Sequence, residues 1–158
     1  MTPRTVVIGI GNPMRGDDAA GVEVAGRLRS RVPPGVEVIA CSEEPSRLME
    51  AWEGASSVVL IDTVSSGGRP GTLHRFDAGE KAVPARTFRS STHAIGIADT
   101  IELARALGRL PRQVRIYGVE AGSFATGAAL TPAVETAVTA LVHDVLNDLE
   151  RERCTSAP

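Results

Sequence analysis

Aromatic residues are scarce, making up 3% of the 158-residue chain. A core must therefore be built from Val, Leu, Ile and Ala, and a hydrophobic content of 42% supplies enough of them. Lysine is nearly missing: of 17 basic residues only Lys81 is lysine, a bias of the kind a GC-rich genome imposes. No excess of positive charge exists, because the formal net charge is -2. That argues against a nucleic-acid partner, which needs cations to neutralise phosphates. Cysteine is limited to Cys41 and Cys154, too far apart for a disulfide framework or a Cys-x-x-Cys metal site. Long hydrophobic runs are lacking too. None approaches a membrane span, and the apolar run after Thr5 is too short for a signal peptide. These absences predict a soluble, cytoplasmic, monomeric protein. It has one catalytic domain over residues 1–152 and a disordered tail at 153–158.

What is present is an alternation of strands and helices. Apolar runs at residues 5–10, 36–41, 57–62 and 113–119 read as strands, with 57–62 central because both its faces are apolar. Residues 72–77 read as an edge strand. Helices are expected up to about residue 32, from Pro45 through Trp52, from about 94 to 107, and from Thr131-Pro132 onward. The first would bury Val22, Ala25 and Leu28. The last has Thr at the N-cap, Pro at its first position and a buried face of Val134, Val138, Leu141, Val145 and Leu149. Such alternation predicts a three-layer α/β/α sandwich around a twisted, mostly parallel sheet. In such folds chemistry gathers at the carboxyl ends of the strands. This places Asp17 and Asp18, which follow the first strand, Asp62 at the end of the third, and His93 before a helix, on one rim.

Each candidate has a plain structural explanation beside the functional one. One of Asp17 and Asp18 would suffice to cap the following helix, leaving the other for the crevice. A carboxylate closing an apolar strand, as Asp62 does, must be paired, hydrogen-bonded or metal-bound. Two carboxylates and an imidazole suit a divalent transition metal with open positions, and the lack of thiolates argues against a closed structural zinc site. Gly9-Ile10-Gly11-Asn12 is a weak dinucleotide signal, since the third glycine of the fingerprint is replaced by Met14. His74 and His143 read as a strand-surface and a helix residue. Cys41 reads as a small buried hydrophobe, and there is no Gly-x-Ser-x-Gly elbow or His-Glu-x-x-His helix.

Four segments in order resemble the hydrogenase maturation protease family over about residues 5–142. They are Gly9-Ile10-Gly11-Asn12-Pro13-Met14-Arg15-Gly16-Asp17-Asp18-Ala19-Ala20-Gly21, Val58-Val59-Leu60-Ile61-Asp62, Ser91-Thr92-His93-Ala94-Ile95-Gly96-Ile97, and Tyr117-Gly118-Val119-Glu120 followed by Leu130-Thr131-Pro132-Ala133-Val134. The resemblance implies an aspartic-type endopeptidase. It would remove the C-terminal extension of a nickel-iron hydrogenase large-subunit precursor after nickel insertion. Asp18, Asp62 and His93 match the family's metal-contacting residues, and the nickel is supplied by the substrate and held transiently. The chain departs from the family after the second strand. A glycine-rich loop is replaced by Cys41-Ser42-Glu43-Glu44-Pro45-Ser46-Arg47-Leu48, which bears on which hydrogenase is the substrate. The alternatives are a stand-alone metal-dependent hydrolase and a non-enzymatic nucleotide- or anion-binding module.

Overall fold

The computed structural model describes residues 3–42, 44–79 and 96–156. Among these residues five strands form one sheet: β1 (Thr5–Ile10), β2 (Val36–Cys41), β3 (Ser57–Val64), β4 (Leu73–Asp77) and β5 (Gln113–Glu120). Their spatial order is β2-β1-β3-β5-β4. β1, β2, β3 and β5 are mutually parallel, and β4 runs antiparallel to β5 at the edge. The sheet is thus mostly parallel, and four strands present their carboxyl ends on one rim.

Among the described residues four α-helices cover the sheet: α1 (Ala20–Leu28), α2 (Pro45–Ala51), α3 (Ile97–Ala106) and α4 (Pro132–Ser156). Strand alternation sends Val6, Ile8, Val58, Leu60, Val114 and Ile116 to the face covered by α2 and α3, where Leu48, Trp52 and Ile101 meet them. The opposite residues, Val7, Val59, Ile61, Tyr117 and Val119, pack against Val24 and Leu28 of α1 and Val138, Leu141 and Val145 of α4. The result is the expected three-layer sandwich with an aliphatic core on each face. β3 is central, and every one of its residues is buried.

The differences from the sequence reading have local causes. The first helix ends at Leu28 rather than near 32, with turns closing through Arg31 and Val32 onto the Leu28 carbonyl. Its buried face uses Val24 in place of Val22, which is only partly buried. β3 continues two residues past Asp62, because Thr63 and Val64 still pair with Val119 and Glu120. β5 likewise takes in Glu120. All five residues named for the buried face of the last helix are buried. That helix runs on to Ser156, beyond residue 152, where order was expected to end. Glu152 bonds Arg115 at 2.7 Å, and Thr155 Oγ1 donates to the Arg151 carbonyl at 3.0 Å. Among the described residues no helix is long and apolar enough to cross a membrane.

Candidate active site

The turn after β1 is built on close backbone approach. A Cβ on Gly9 would stand 2.2 Å from the Gly21 carbonyl oxygen, and one on Gly21 would stand 2.4 Å from the carbonyl oxygens of Ile10 and Ile61. Bare backbone at both positions lets α1 lie directly on β1 and β3. Gly11, at φ 148°, passes over Asp18, where a Cβ would meet the Asp18 carbonyl oxygen at 2.0 Å. Asn12 closes the turn, its Oδ1 accepting the Met14 amide at 2.9 Å. A single 3-10 turn, Gly16–Ala19, then delivers two adjacent carboxylates.

Both carboxylates are completely buried, and they have different surroundings. Asp17 reaches across to the segment between β5 and α4. Its Oδ2 accepts the amides of Gly122 (2.7 Å) and Ser123 (3.0 Å) and the Thr131 hydroxyl (2.8 Å), while Oδ1 accepts the Thr131 amide (2.7 Å). Asp18 turns to the sheet. Its Oδ2 accepts the Asn12 amide (3.1 Å) and its Oδ1 the Thr63 hydroxyl (3.0 Å). Neither carboxylate caps α1, whose first turn carries no side-chain cap. Helix capping therefore does not account for the acidic pair. A carboxylate offers about four acceptor positions, so Asp17 is saturated and Asp18 keeps about half its capacity.

Asp62 is 2% exposed and accepts the Thr63 amide at 2.8 Å. Thr63 therefore touches both carboxylates, its hydroxyl on Asp18 and its amide on Asp62. The sequence reading, which ends the strand at residue 62, leaves Thr63 outside it. Its position inside a buried strand is what makes it the link. His93 lies outside the described residues. The next described residue in the chain is Gly96, the N-cap of α3. Cys41 is half-buried, with its Sγ donating to the Ser42 carbonyl, and burial pushes its thiol up, which disfavours a nucleophilic thiolate. His143 is an exposed helix residue.

Two further residues were under-read. Glu120 is 1% exposed at the end of β5, and His74 Nε2 stands 3.1 Å from its Oε1. The rule that flagged Asp62, a carboxylate closing an apolar strand, applies equally to Glu120. It was obscured because the strand was expected to stop at 119. The cavity of about 440 Å³ lined by Ser57, Arg112, Gln113 and Arg115 lies at the opposite, amino ends of β3 and β5, away from this chemistry.

Residues 22–148 match the sequence profile of HycI, described as a hydrogenase maturation protease. The chain belongs to the hydrogenase maturation protease family. It is 28% identical over 98% of its length to the hydrogenase 2 maturation protease of Escherichia coli, covering 96% of that protein. It is 31% identical over 75% of its length to the hydrogenase expression/formation protein HupM of Azotobacter chroococcum, of which it spans 58%. Among solved structures, the hydrogenase maturating endopeptidase HybD of E. coli superposes with a TM-score of 0.81 at 27% identity, over 94% of this chain and 93% of that one. The [NiFe] hydrogenase maturation protease HycI of Thermococcus kodakarensis gives 0.74 at 26% identity, over 93% and 92%. The family match and the fold agree; Asp62 falls within the matched residues 22–148, and Asp17 and Asp18 stand just before them.

Proposed function

We propose that this maturation protease is an endopeptidase that removes the C-terminal extension of a nickel-iron hydrogenase large-subunit precursor. The reading extends to a cytoplasmic monomer that acts after nickel insertion. The nickel is part of the substrate and serves as the recognition element, contacted by Asp18, Asp62 and His93. The observation that carries this reading is the placement of Asp18 and Asp62. Two buried carboxylates, one from the turn after β1 and one from β3, share contacts with Thr63 at the carboxyl ends of parallel strands. Asp18 also has acceptor positions to spare. Carboxylate oxygens with an imidazole suit a borderline divalent ion. His93 enters on its match to the family motif.

Two roles are open to these carboxylates. They can take the proton from the attacking water, as the aspartic-type label implies, or hold the precursor's metal, which polarises the scissile carbonyl beside it. Burial excludes bulk water and strengthens both interactions. The nucleotide-binding alternative is disfavoured by the turn itself. The Asn12 amide, of the kind a pyrophosphate would use, is already occupied by Asp18, and a second carboxylate follows directly behind.

The test is to mix the purified protein with nickel-loaded and nickel-free precursor and follow the precursor's mass. Shortening of the nickel-loaded form alone is the expected result. Shortening of both forms would remove nickel recognition from the proposal, and shortening of neither would remove the activity. A full equivalent of metal retained by the isolated protein after chelator dialysis would point instead to a stand-alone metal hydrolase.

A further inference from the structure

The rim holds one more buried acid, which the proposed chemistry leaves unused. Glu120 ends β5 on the sheet face that also bears Asp62. The register pairs Asp62 with Gly118, and Gly118 with His74 on β4. Asp62, a bare glycine and His74 thus form one row across three strands, with Glu120 two residues beyond the glycine. Glu120 does not stand idle in this position. Its Oε1 meets His74 Nε2 at 3.1 Å and accepts the Ser66 hydroxyl, and its Oε2 accepts the Ser66 amide at 3.3 Å.

Ser66 lies in the loop of residues 65–71 that leaves β3 directly after Asp62, Thr63 and Val64. This loop contains three glycines, and Gly67 and Gly71 have φ of 82° and 84°. Such a sequence has little preference of its own for one path. Glu120 gathers both of its ends. The side chain holds the start through Ser66, while its backbone holds the finish, with the Gly71 amide donating to the Glu120 carbonyl and the Glu120 amide donating to the Thr72 carbonyl, each at 2.9 Å. Between them Gly68 passes so close that a Cβ there would stand 3.0 Å from Oε1. A peptide reaching Asp62 along the carboxyl ends of β3 and β5 passes this loop.

We infer that Glu120 is a positioning residue for precursor cleavage, which fixes the 65–71 loop as one wall of the path that leads the precursor's tail to Asp62. The inference rests on the proposed cleavage at this rim. The loop contacts the bound chain rather than the reacting atoms, so its loosening weakens binding more than turnover. His74 supports Glu120 from the edge strand, and Ser66 is the hook on the loop.

The test compares wild type with Ser66→Ala, Ser66→Thr and Glu120→Gln, using nickel-loaded precursor and backbone amide hydrogen exchange on the same proteins. Ser66 is in an exposed loop, so its substitution leaves the core intact. Ser66→Ala and Glu120→Gln should speed exchange at Ser66 and Gly71 and raise KM on the order of tenfold with kcat little changed. Ser66→Thr, which keeps the hydroxyl, should restore KM. Unchanged exchange would overturn the anchoring. Faster exchange with unchanged KM would overturn the link to substrate. A rise in KM matched by a fall in kcat, both in step with melting temperature, would reduce Glu120 to a structural residue and overturn the inference. If wild type leaves the precursor intact, the proposed activity fails and the role in cleavage fails with it, while the exchange data report separately on the loop.

Discussion

Asp17 and Asp18 are adjacent in sequence and equally buried, yet they sit in two different regions of the protein. Asp17 belongs to the junction between the first turn and the segment that precedes α4, and it receives four hydrogen bonds there. Asp18 belongs to the sheet rim and receives two, one of them from Thr63. The difference separates two uses of a buried carboxylate. A saturated one is a fastener. Its charge is spent on donors the backbone must satisfy anyway, and it has nothing left for a ligand. An unsaturated one, sharing Thr63 with a second buried carboxylate, is costly to the fold and is retained where chemistry needs it.

The strongest way to break this contrast is to remove one charge at the rim. Asp18→Asn and Asp62→Asn should each lower precursor processing by at least a hundredfold, the usual scale for losing a catalytic acid or base. The folded state should survive, and circular dichroism would show it. His93→Ala should behave likewise. Wild-type processing by any one of the three would take that residue out of the site. Asp17→Asn should do the reverse. It replaces one carboxylate oxygen by an NH2, which must face either the Gly122 and Ser123 amides or the Thr131 amide. The expected cost is about 2–4 kcal/mol from several buried groups left without partners, read as a fall in melting temperature of roughly 10 °C. Processing per folded molecule should stay within a few-fold of wild type. If Asp17→Asn abolishes processing at full stability, the two roles are exchanged.

A smaller effect is expected at the bridge. Thr63→Val keeps the shape and the backbone amide on Asp62 but deletes the hydroxyl on Asp18. The loss should be about 1–2 kcal/mol in stability and on the order of tenfold in processing, because Asp18 is no longer held in place. Thr63→Ser should recover most of both. Equal processing by the Val and Ser variants would show that the bridge plays no part in catalysis.

The reason this division was only partly legible in the sequence is physical. Strands and helices could be read because each needs only its own neighbours, such as the double-faced apolar run of β3 or the Thr131-Pro132 helix start. The carboxyl rim followed from the alternation of those elements, and with it the neighbourhood of Asp18 and Asp62. Which of Asp17 and Asp18 faces the sheet did not follow, because the donors to Asp17 lie 105 to 114 residues away in the chain. Local rules offered helix capping instead, and neither residue does that. The lengths of β3 and β5 were missed for a related reason. Polar residues at strand ends look like loop when their partners are distant, and so Thr63 and Glu120 were left out.

On the sheet face opposite Asp62, Tyr117 and Asp148 provide a control for the saturated kind of carboxylate. The Tyr117 hydroxyl donates to Asp148, and the Arg75 guanidinium lies 3.2 Å from the same carboxylate and 5.8 Å from the ring centre. Arg115 approaches Asp148 at 4.0 Å. Burial first, and the neighbouring Asp148 second, push the phenol well above its ordinary value near 10, outweighing the two arginines. The unfolded chain thus releases this proton from about pH 10 upward while the folded protein keeps it. Above that pH the unfolded state binds fewer protons, so stability is whole below pH 10 and declines as pH rises toward the folded value. Tyr117 is the only tyrosine, so tyrosinate absorbance reports on it alone. Burial raises the Cys41 thiol as well, which adds a loss of the same sign beginning near pH 9. Tyr117→Phe should therefore flatten the alkaline decline in melting temperature without removing it, and should leave precursor processing at neutral pH within about twofold, since the Tyr117 hydroxyl points to Asp148 on the sheet face opposite Asp62. A tyrosinate signal that rises near pH 10 in the folded protein, or an alkaline decline unchanged by Tyr117→Phe, would show that the Asp148 cluster does not hold the phenol proton and would leave Asp17 as the one demonstrated fastener.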